Sequence, residues 1–394
     1  MQTKPLPVLP PQRWDIFCRV IDNYGDIGVC WRLARQLAHE HGLAVRLWVD
    51  ELEIAKRLIP TLDSRSVRQT IARIDICHWP DVFPDAAVAD VVIEAFACEL
   101  PQNYVLAMAE RPQQPVWLNL EYLSAETWVD NFHLQRSPHP ILPLTKYFFF
   151  PGFSLHTGGL IREKNLIEQR EMFQRSSSAQ ATFWQRLSVV NESALKISLF
   201  CYADAPIADL LEVLAQHEQA VLCLVPESVA LSIIAKYFAS EEQKVPLEIG
   251  QQYQKGNLTL QILPFLAAET YDQLLWACDL NFVRGEDSWI RALWAAKPFI
   301  WQPYRQQEET HLIKLNAFIE RYGSGLNASS REVLDDFHHN WCSHTFAPSN
   351  ARALLLHLPA LQLHATTQTN QFAKPVDLAS ALTTFAATFC ENKL

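Results

Sequence analysis

The sequence is poor in glycine and lacks the glycine-containing motifs of several large enzyme classes. It has 11 glycines in 394 residues. No GxGxxG follows the first predicted strand, which disfavours an NAD-dependent enzyme, and the GxxxxGK[ST] loop of P-loop ATPases does not occur. The GxSxG nucleophile elbow is missing as well. The sequence thus gives no support for dinucleotide redox chemistry or P-loop ATP hydrolysis.

Motifs that bind metal ions are also missing. The nine cysteines are scattered without a CxxC, and most lie in apolar runs, where a thiol behaves as a small hydrophobic group. The histidines form no HxxxH or HExxH pair. This usage is typical of a reducing cytoplasm and argues against a zinc site or a cysteine nucleophile. We expect a cytoplasmic protein without a metal.

Long apolar runs and an excess of positive charge are absent too. No run of 18 apolar residues occurs, so the sequence predicts no membrane span. The start of the chain, MQTKPLPVLPPQRW, is proline-rich and has no apolar core, so we do not interpret it as a signal peptide. The formal net charge of −10 argues against general binding to nucleic acid or to an anionic membrane.

The length and the pattern of the chain predict two α/β domains. A chain of 394 residues is too long for one typical core. Strand-like runs alternate with helical segments in the first half, and the alternation restarts after a polar stretch, Gln169–Ser178, that reads as a linker. Such alternation favours parallel βαβ units. Two doubly wound domains that face each other would place a ligand cleft at the carboxyl ends of their strands.

One segment has the pattern of a phosphate-binding turn. It has the sequence NFVRGEDSWIRALWAAKPFIWQPY, residues 281–304. Leu280–Val283 is typical of a buried strand, and Asp287–Ser288 supplies N-cap residues for the helix that follows. A helix N-terminus beside Arg284 can bind an anion through backbone N–H groups and a guanidinium. The alternative is an ordinary turn in which Arg284 pairs with Glu286 or Asp287.

A second unusual segment, Ile21–Trp31, follows the first predicted strand and reads IDNYGDIGVCW. Asp22 and Asp26 lie in the loop between strand and helix, where Gly25 permits a tight turn. Two carboxylates four residues apart suit a general base and a partner that orients it. The alternative is that one aspartate caps the helix and the other is solvated.

Three aromatic residues follow predicted strands of the second half and could stack on a nucleobase. Phe200 and Tyr202 end the strand that begins near Ala194, and Phe265 follows Leu263 at the end of another. Packing in the core is the alternative for each of them.

Together, DNYGDIGVCWRLA and NFVRGEDSWIRALWAAKPFIWQPY are long enough to carry a resemblance, and LPFLAAETYDQLLWACDLNFVRGEDS extends it. The chain resembles the bacterial elongation factor P–arginine rhamnosyltransferase family, EarP, over nearly its whole length. The resemblance implies a GT-B glycosyltransferase with two facing Rossmann-like domains. Residues 1–180 would form the N-terminal, acceptor-side domain, and residues 181–371 the nucleotide-sugar-binding domain. A helix at about 372–394 would cross back to the first domain.

The resemblance also implies the reaction, which is an inverting transfer of rhamnose from dTDP-β-L-rhamnose to an arginine side chain of elongation factor P. The partners would be this donor and the folded acceptor protein, with no cofactor. The donor diphosphate would be stabilised by protein groups in place of a metal.

Roles for individual residues follow from the same resemblance. Asp26 matches the proposed catalytic carboxylate, which would bind the acceptor guanidinium and take up its proton. Our hypothesis is that Asp22 or Glu286 helps to hold the guanidinium. The other residues implied in substrate binding are Asn23, Tyr24 and Gly25 on the acceptor side, Arg284, Gly285, Asp287, Ser288 and Tyr304 at the donor diphosphate, and Phe200, Tyr202 and Phe265 in the thymidine pocket.

The residues alone leave two other functions possible. One is a GT-B enzyme with a small-molecule or glycan acceptor, or a sugar-nucleotide epimerase of the same fold. Asp22 and Asp26 favour a cationic acceptor over a neutral hydroxyl. The other is a non-catalytic module that binds a translation factor. Such a module would tolerate the loss of Asp26, Arg284 and Tyr304, so their joint presence favours an enzyme.

Overall fold

A computed structural model describes residues 12–22, 24–189, 194–228, 230–239, 247–343 and 345–391. The chain divides into two compact units. Unit 1 holds the described residues up to Leu123, Trp128–Ile161 and the described residues from Val376 on. Unit 2 holds Ser124–Thr127 and Arg162–Pro375. The continuous part of unit 2 begins at Arg162, whereas we predicted a boundary at residue 180.

Unit 1 alternates strands and helices, as the sequence pattern predicts. Its elements up to Ile161 are β1 (Arg13–Cys18), α1 (Gly25–Glu40), β2 (Ala44–Val49), α2 (Leu52–Leu58), β3 (Arg68–Ile71), β4 (Ile74–His78), β5 (Val91–Ala95), α3 (Gln102–Glu110), β6 (Val116–Leu120), α4 (Val129–Phe132), β7 (Arg136–Pro138) and β8 (Thr145–Phe149). The strands form one sheet in the order β3-β4-β2-β1-β5-β6-β8-β7. The inner strands pair in parallel, and the edge strands β3 and β7 pair antiparallel with their neighbours.

Unit 2 repeats the architecture with a smaller sheet. Its elements are α5 (Leu166–Arg175), α6 (Ser177–Arg186), β9 (Leu195–Leu199), α7 (Ile207–Ala215), β10 (Val221–Pro226), α8 (Leu231–Phe238), β11 (Gln252–Lys255), β12 (Leu258–Leu263), α9 (Ala268–Ala277), β13 (Leu280–Arg284), α10 (Asp287–Ala295), β14 (Phe299–Gln302), a 3-10 turn at Gln307–Glu309, α11 (Thr310–Tyr322), α12 (Ala328–Ser343) and α13 (Pro348–Phe372). The sheet order is β11-β12-β10-β9-β13-β14, parallel except for β11.

The final helix, α14 (Leu378–Glu391), belongs to unit 1. Its Phe385 ring lies 5.3 Å from the Tyr147 ring and 6.1 Å from the Phe149 ring, both in β8. The N–H of Leu378 also donates to the carbonyl of Leu160 at 2.9 Å. The helix therefore covers apolar side chains that β8 would otherwise expose.

The linker that we predicted at Gln169–Ser178 is wrong, because this stretch forms most of α5 and the start of α6. The side chain of Phe173 is buried, and the Arg170 guanidinium donates to the carbonyl of Trp294 at 3.0 Å. The Ser176 hydroxyl accepts from the N–H of Ala179 at 3.1 Å and so caps α6. The serines that looked like a flexible connection mark a helix N-terminus instead.

Each sheet has one point at which the order of its strands reverses. In unit 1 the chain winds outward from β1 on one side and from β5 on the other, and in unit 2 the same holds for β9 and β13. Open α/β sheets bind ligands at the carboxyl ends of the strands at such points. No helix among the described residues is long and apolar enough to cross a membrane.

Candidate active site

In unit 1, the Asp26 carboxyl lies at the switch point, in the first turn of α1 directly after β1. It is 2 % exposed. Its Oδ2 accepts hydrogen bonds from the N–H groups of Ile21 at 2.7 Å and Asp22 at 2.9 Å, and its Oδ1 accepts from the Tyr122 hydroxyl at 3.2 Å. The side chain thus fixes the preceding loop instead of capping the helix, and a negative charge here is favoured by the helix dipole.

The predicted acceptor-side residues lie around Asp26. The carbonyl of Asp22 accepts from the N–H of Gly25 at 2.7 Å, and a Cβ at Gly25 would lie only 3.0 Å from Oδ2 of Asp22. Glycine at this position therefore lets the two residues pack closely. Tyr24 is half-buried and precedes α1 without a side-chain cap. Asn23, which we predicted in this motif, lies outside the described residues.

Tyr122 is a residue of this site that the sequence analysis missed. It follows β6, and β5 separates β6 from β1 in the sheet. Its ring stacks on Phe96, which follows β5, with 4.4 Å between ring centroids and 16° between ring planes. Residues that directly follow parallel strands lie at one edge of the sheet, so Tyr122 could in principle have been placed near Asp26 from the sequence. That inference requires the order of the strands in the sheet, which the local sequence pattern does not give.

In unit 2, the Arg284 side chain lies at the switch point, at the end of β13. It is 6 % exposed, and its Cζ lies 4.4 Å from the ring centroid of Phe200 and 4.8 Å from that of Tyr202. One guanidinium nitrogen is 3.4 Å from the carbonyl oxygen of Cys201. The structure thus brings together three residues predicted for donor binding, and the two rings hold the cation by cation–π contact.

Hydrogen bonds to β14 and to the start of α10 fix the turn after Arg284. Gly285 has a φ of 60°, in the left-handed region that favours glycine. Its N–H donates to the carbonyl of Gln302 at 3.1 Å, and its carbonyl accepts from the Trp301 indole at 2.7 Å. The Ser288 hydroxyl accepts from the N–H of Arg284 at 3.0 Å and donates to the carbonyl of the same residue. These bonds connect the backbone of Arg284 to the start of α10.

The prediction that Asp287 and Ser288 supply the N-cap of this helix is wrong. The helix starts at Asp287, so Glu286 is the N-cap residue, and its side chain makes no capping bond. Ser288 instead turns back to Arg284. Glu286 and Asp287 are half-buried at the N-terminus of α10. The first N–H groups of a helix lack partners within the helix, so an anion suits this position.

The remaining predicted residues lie at the same edge of the unit 2 sheet. Tyr304 follows β14, is 46 % exposed, and has its ring 5.8 Å from that of Tyr202 in an edge-on contact. Phe265 follows β12, which is separated from β9 by β10, so it lies farther along the edge. Gln302, which we did not predict, accepts from the N–H of Tyr202 and donates to Asp204, each at 2.9 Å. It therefore ties the loop after β9 to β14.

Three groups near these residues, Cys201, Tyr271 and Cys18, have a raised pKa. Burial raises the pKa of Cys201 to about 12, although the Arg284 guanidinium opposes the shift. Burial also raises the pKa of Tyr271, whose ring lies 5.7 Å from Phe200. A hydrogen bond with Cys30, together with burial, raises the pKa of Cys18 in unit 1. A thiolate nucleophile is thus disfavoured in both places.

Within the ranges that the structure describes, no group of three or more His, Cys, Asp or Glu side chains is placed to hold a metal ion. The charged residues that we predicted at the two edges are a carboxylate pair, Asp22 and Asp26, in unit 1, and in unit 2 the Arg284 guanidinium, with Glu286 and Asp287 at the N-terminus of α10. The carboxylate pair suits a cationic ligand, and the guanidinium suits an anionic one.

The chain is similar to known proteins over nearly its full length. The family model of the elongation factor P (EF-P) rhamnosyltransferase EarP matches residues 14–387. A protein-arginine rhamnosyltransferase of Pseudomonas putida is 46 % identical over 373 residues, which cover 94 % of this chain and 98 % of the relative. Both motif segments lie within the residues that the family model matches.

Solved structures show the same relationship. An EarP structure, described in terms of arginine glycosylation of translation elongation factor EF-P, is 35 % identical with a TM-score of 0.69, and the match covers 97 % of this chain and all of that one. The MurG of Acinetobacter baumannii is 12 % identical with a TM-score of 0.52, over 96 % of this chain and all of that one, and shows the fold alone. These are GT-B glycosyltransferases, so the predicted fold class is confirmed.

Proposed function

The chain belongs to the elongation factor P rhamnosyltransferase family, and on that basis we propose that it transfers rhamnose from dTDP-β-L-rhamnose to an arginine side chain of translation elongation factor P. The observation that carries the proposal is the family match over residues 14–387, which includes both motifs. Elongation factor P acts in translation, so the proposal includes a cytoplasmic location.

The acceptor arginine determines what unit 1 must supply. A guanidinium has a pKa above about 12, so it reaches the enzyme as a cation and must lose a proton when it is glycosylated. Asp26 is buried and held by three hydrogen bonds, which fix its carboxyl group before the acceptor arrives. In the proposed mechanism Asp26 binds the guanidinium, orients one nitrogen and accepts its proton. Asp22 or Glu286 is proposed to help hold the cation.

The proposed chemical step is a single displacement at the anomeric carbon. One guanidinium nitrogen forms a bond to C1 of rhamnose while the bond from C1 to the diphosphate oxygen breaks on the opposite face. The electron pair of that bond leaves with dTDP, and the nitrogen gives its proton to Asp26. An attack opposite to the leaving group inverts the configuration at C1, by the same logic as in inverting glycosidases.

Unit 2 is proposed to hold the donor. Arg284 and the N–H groups at Asp287–Ser288 are proposed to stabilise the charge on the departing diphosphate, since a guanidinium and a helix N-terminus both favour an anion. The exposed Tyr304 side chain is proposed to donate to the same diphosphate. The Gly285 backbone would lie at the diphosphate. The Phe200, Tyr202 and Phe265 rings would line the nucleoside side, where aromatic faces can stack on thymine.

Because these groups supply the positive charge, we propose that transfer needs no divalent cation. Treatment of the enzyme and both substrates with EDTA should leave the initial rate of transfer unchanged, as measured by mass spectrometry of the acceptor. A rate that EDTA abolishes and added Mg²⁺ restores would contradict this part of the mechanism. The donor and acceptor assignments would then still stand.

The function itself is tested by the intact mass of elongation factor P after incubation with the protein and dTDP-rhamnose. We expect a gain of one deoxyhexose, and no gain when the acceptor arginine is replaced by lysine. No gain, with dTDP-rhamnose still bound, would overturn the acceptor assignment in favour of a GT-B enzyme with another acceptor. No gain and no donor binding would favour the non-catalytic module.

A further inference from the structure

The two oxygens of the Asp26 carboxyl group have different partners. Oδ2 accepts two backbone N–H bonds from the loop that precedes it. Oδ1 accepts a bond from the Tyr122 hydroxyl, which comes from a different part of the chain. The rotation of the carboxyl plane, and so the direction in which Oδ1 presents its free lone pair, therefore depends on Tyr122.

The position of the Tyr122 ring is itself fixed by Phe96. The two rings stack with 4.4 Å between centroids, and Phe96 is buried. The N–H of Phe96 also donates to the carbonyl of Leu120 at 2.7 Å, which connects the ends of β5 and β6. The phenol therefore has little freedom to move away from Asp26.

The backbone that carries Phe96 is strained. Phe96 has a φ of 57°, and nearby Ala97 and Glu99 each have a φ of 53°. The left-handed conformation is unfavourable for a residue other than glycine, and such residues concentrate at functional sites. Three residues with this conformation occur within four positions, and one of them is Phe96, whose ring holds Tyr122. This clustering indicates that the backbone of the segment is constrained by function as well as by packing.

We propose that Tyr122 is a positioning residue for the proposed catalytic carboxylate. Its hydroxyl holds Oδ1 of Asp26 so that the remaining lone pair of that oxygen points at the acceptor nitrogen, and Phe96 holds the phenol. Tyr122 keeps its own proton throughout, and the acceptor proton goes to Asp26. The proposal rests on the proposed function, because it assigns Tyr122 a role in that reaction.

The variant Tyr122→Phe tests the proposal, because it keeps the ring and its stack on Phe96 and removes only the hydroxyl. A hydrogen bond to a charged group contributes enough that its loss lowers a rate about tenfold to a hundredfold. We expect kcat for rhamnose transfer to fall by that factor, while KM for dTDP-rhamnose and the melting temperature stay at the wild-type values. A residue with a purely structural role would change the melting temperature and leave kcat alone.

The chain offers a matched control. Tyr237 in unit 2 also donates its hydroxyl to a carboxylate, Glu212, at 3.0 Å, and lies outside the residues proposed for catalysis or binding. Tyr237→Phe removes the same kind of hydrogen bond, and we expect it to leave kcat unchanged. An equal fall of kcat in both variants would overturn the proposal, because the effect would then not depend on Asp26.

A second variant tests the part played by Phe96. Phe96→Leu removes the stack, and it should lower kcat less than Tyr122→Phe does. The double variant should be no slower than Tyr122→Phe alone, because Phe96 acts through the hydroxyl that is already missing. If the two substitutions lower kcat independently, so that their factors multiply in the double variant, the role assigned to Phe96 is overturned.

Failure of this proposal differs from failure of the proposed function. If the wild-type protein transfers no rhamnose, the proposed function is overturned and this proposal with it. If the wild type is active and Tyr122→Phe retains the wild-type kcat, the proposal alone is overturned.

Discussion

Replacement of Asp26 by asparagine is expected to lower the rate of rhamnose transfer by roughly a hundredfold to ten-thousandfold, the usual contribution of a positioned general base. Asparagine has nearly the same shape, and its amide oxygen can still accept the N–H bonds of Ile21 and Asp22, so the loop should keep its fold. The variant loses the negative charge, the ability to take up a proton and the acceptor for the Tyr122 hydroxyl. Single-turnover rates from intact acceptor mass would measure the loss.

Two further measurements make this result specific. Asp50→Asn is a matched control, since Oδ1 of Asp50 also accepts two backbone N–H bonds, from Val20 at 3.0 Å and Glu51 at 2.9 Å. It should keep most of the activity. Binding of dTDP-rhamnose to Asp26→Asn should be unchanged, because the proposed donor residues belong to unit 2. An active Asp26→Asn variant would assign proton uptake to another group.

Replacement of Arg284 by lysine is expected to weaken binding of dTDP-rhamnose about tenfold to a hundredfold, which corresponds to the loss of one or two charge-assisted hydrogen bonds. Lysine keeps the charge but cannot lie flat against Phe200 and Tyr202 or donate two parallel bonds to a phosphate. Titration calorimetry with dTDP-rhamnose, dTDP and thymidine would measure the change. The loss should be large for the first two ligands and small for thymidine, which has no diphosphate.

Arg162 provides the control for this substitution. Its guanidinium also lies over an aromatic ring, 5.6 Å from the Trp294 centroid, and donates to the carbonyls of Ala373 and Pro375. Arg162→Lys should leave the affinity for all three ligands at the wild-type value. Wild-type affinity of Arg284→Lys for dTDP would show that the diphosphate binds elsewhere in unit 2.

The sequence predicts the local elements of the candidate site well, because strong patterns mark them. The strand, turn, helix and next strand predicted between residues 280 and 304 are present as β13, α10 and β14. The parallel alternation in both halves is confirmed as well. Buried strands and amphipathic helices are encoded by neighbouring residues, so a local reading suffices for them.

Contacts between residues that are far apart in the sequence cannot be predicted from the pattern of neighbouring residues. Tyr122 reaches Asp26 only because β5 and β6 lie beside β1 in that order, and Gln302 reaches Tyr202 for the same kind of reason. The error at Gln169–Ser178 has another cause, since a polar helix can pack against a domain through a few side chains such as Phe173. Its composition then resembles that of a linker.

The return of α14 to unit 1 has a consequence for the order in which the protein is made. Ribosomes synthesise a chain from its N-terminus, and domains tend to fold as soon as they are complete. Unit 1 begins first, but it lacks the helix that covers Tyr147 and Phe149 until residues after Val376 have been made. Unit 2, which ends at Pro375, is complete earlier. The unit that carries Asp26 is therefore the last to finish folding during synthesis.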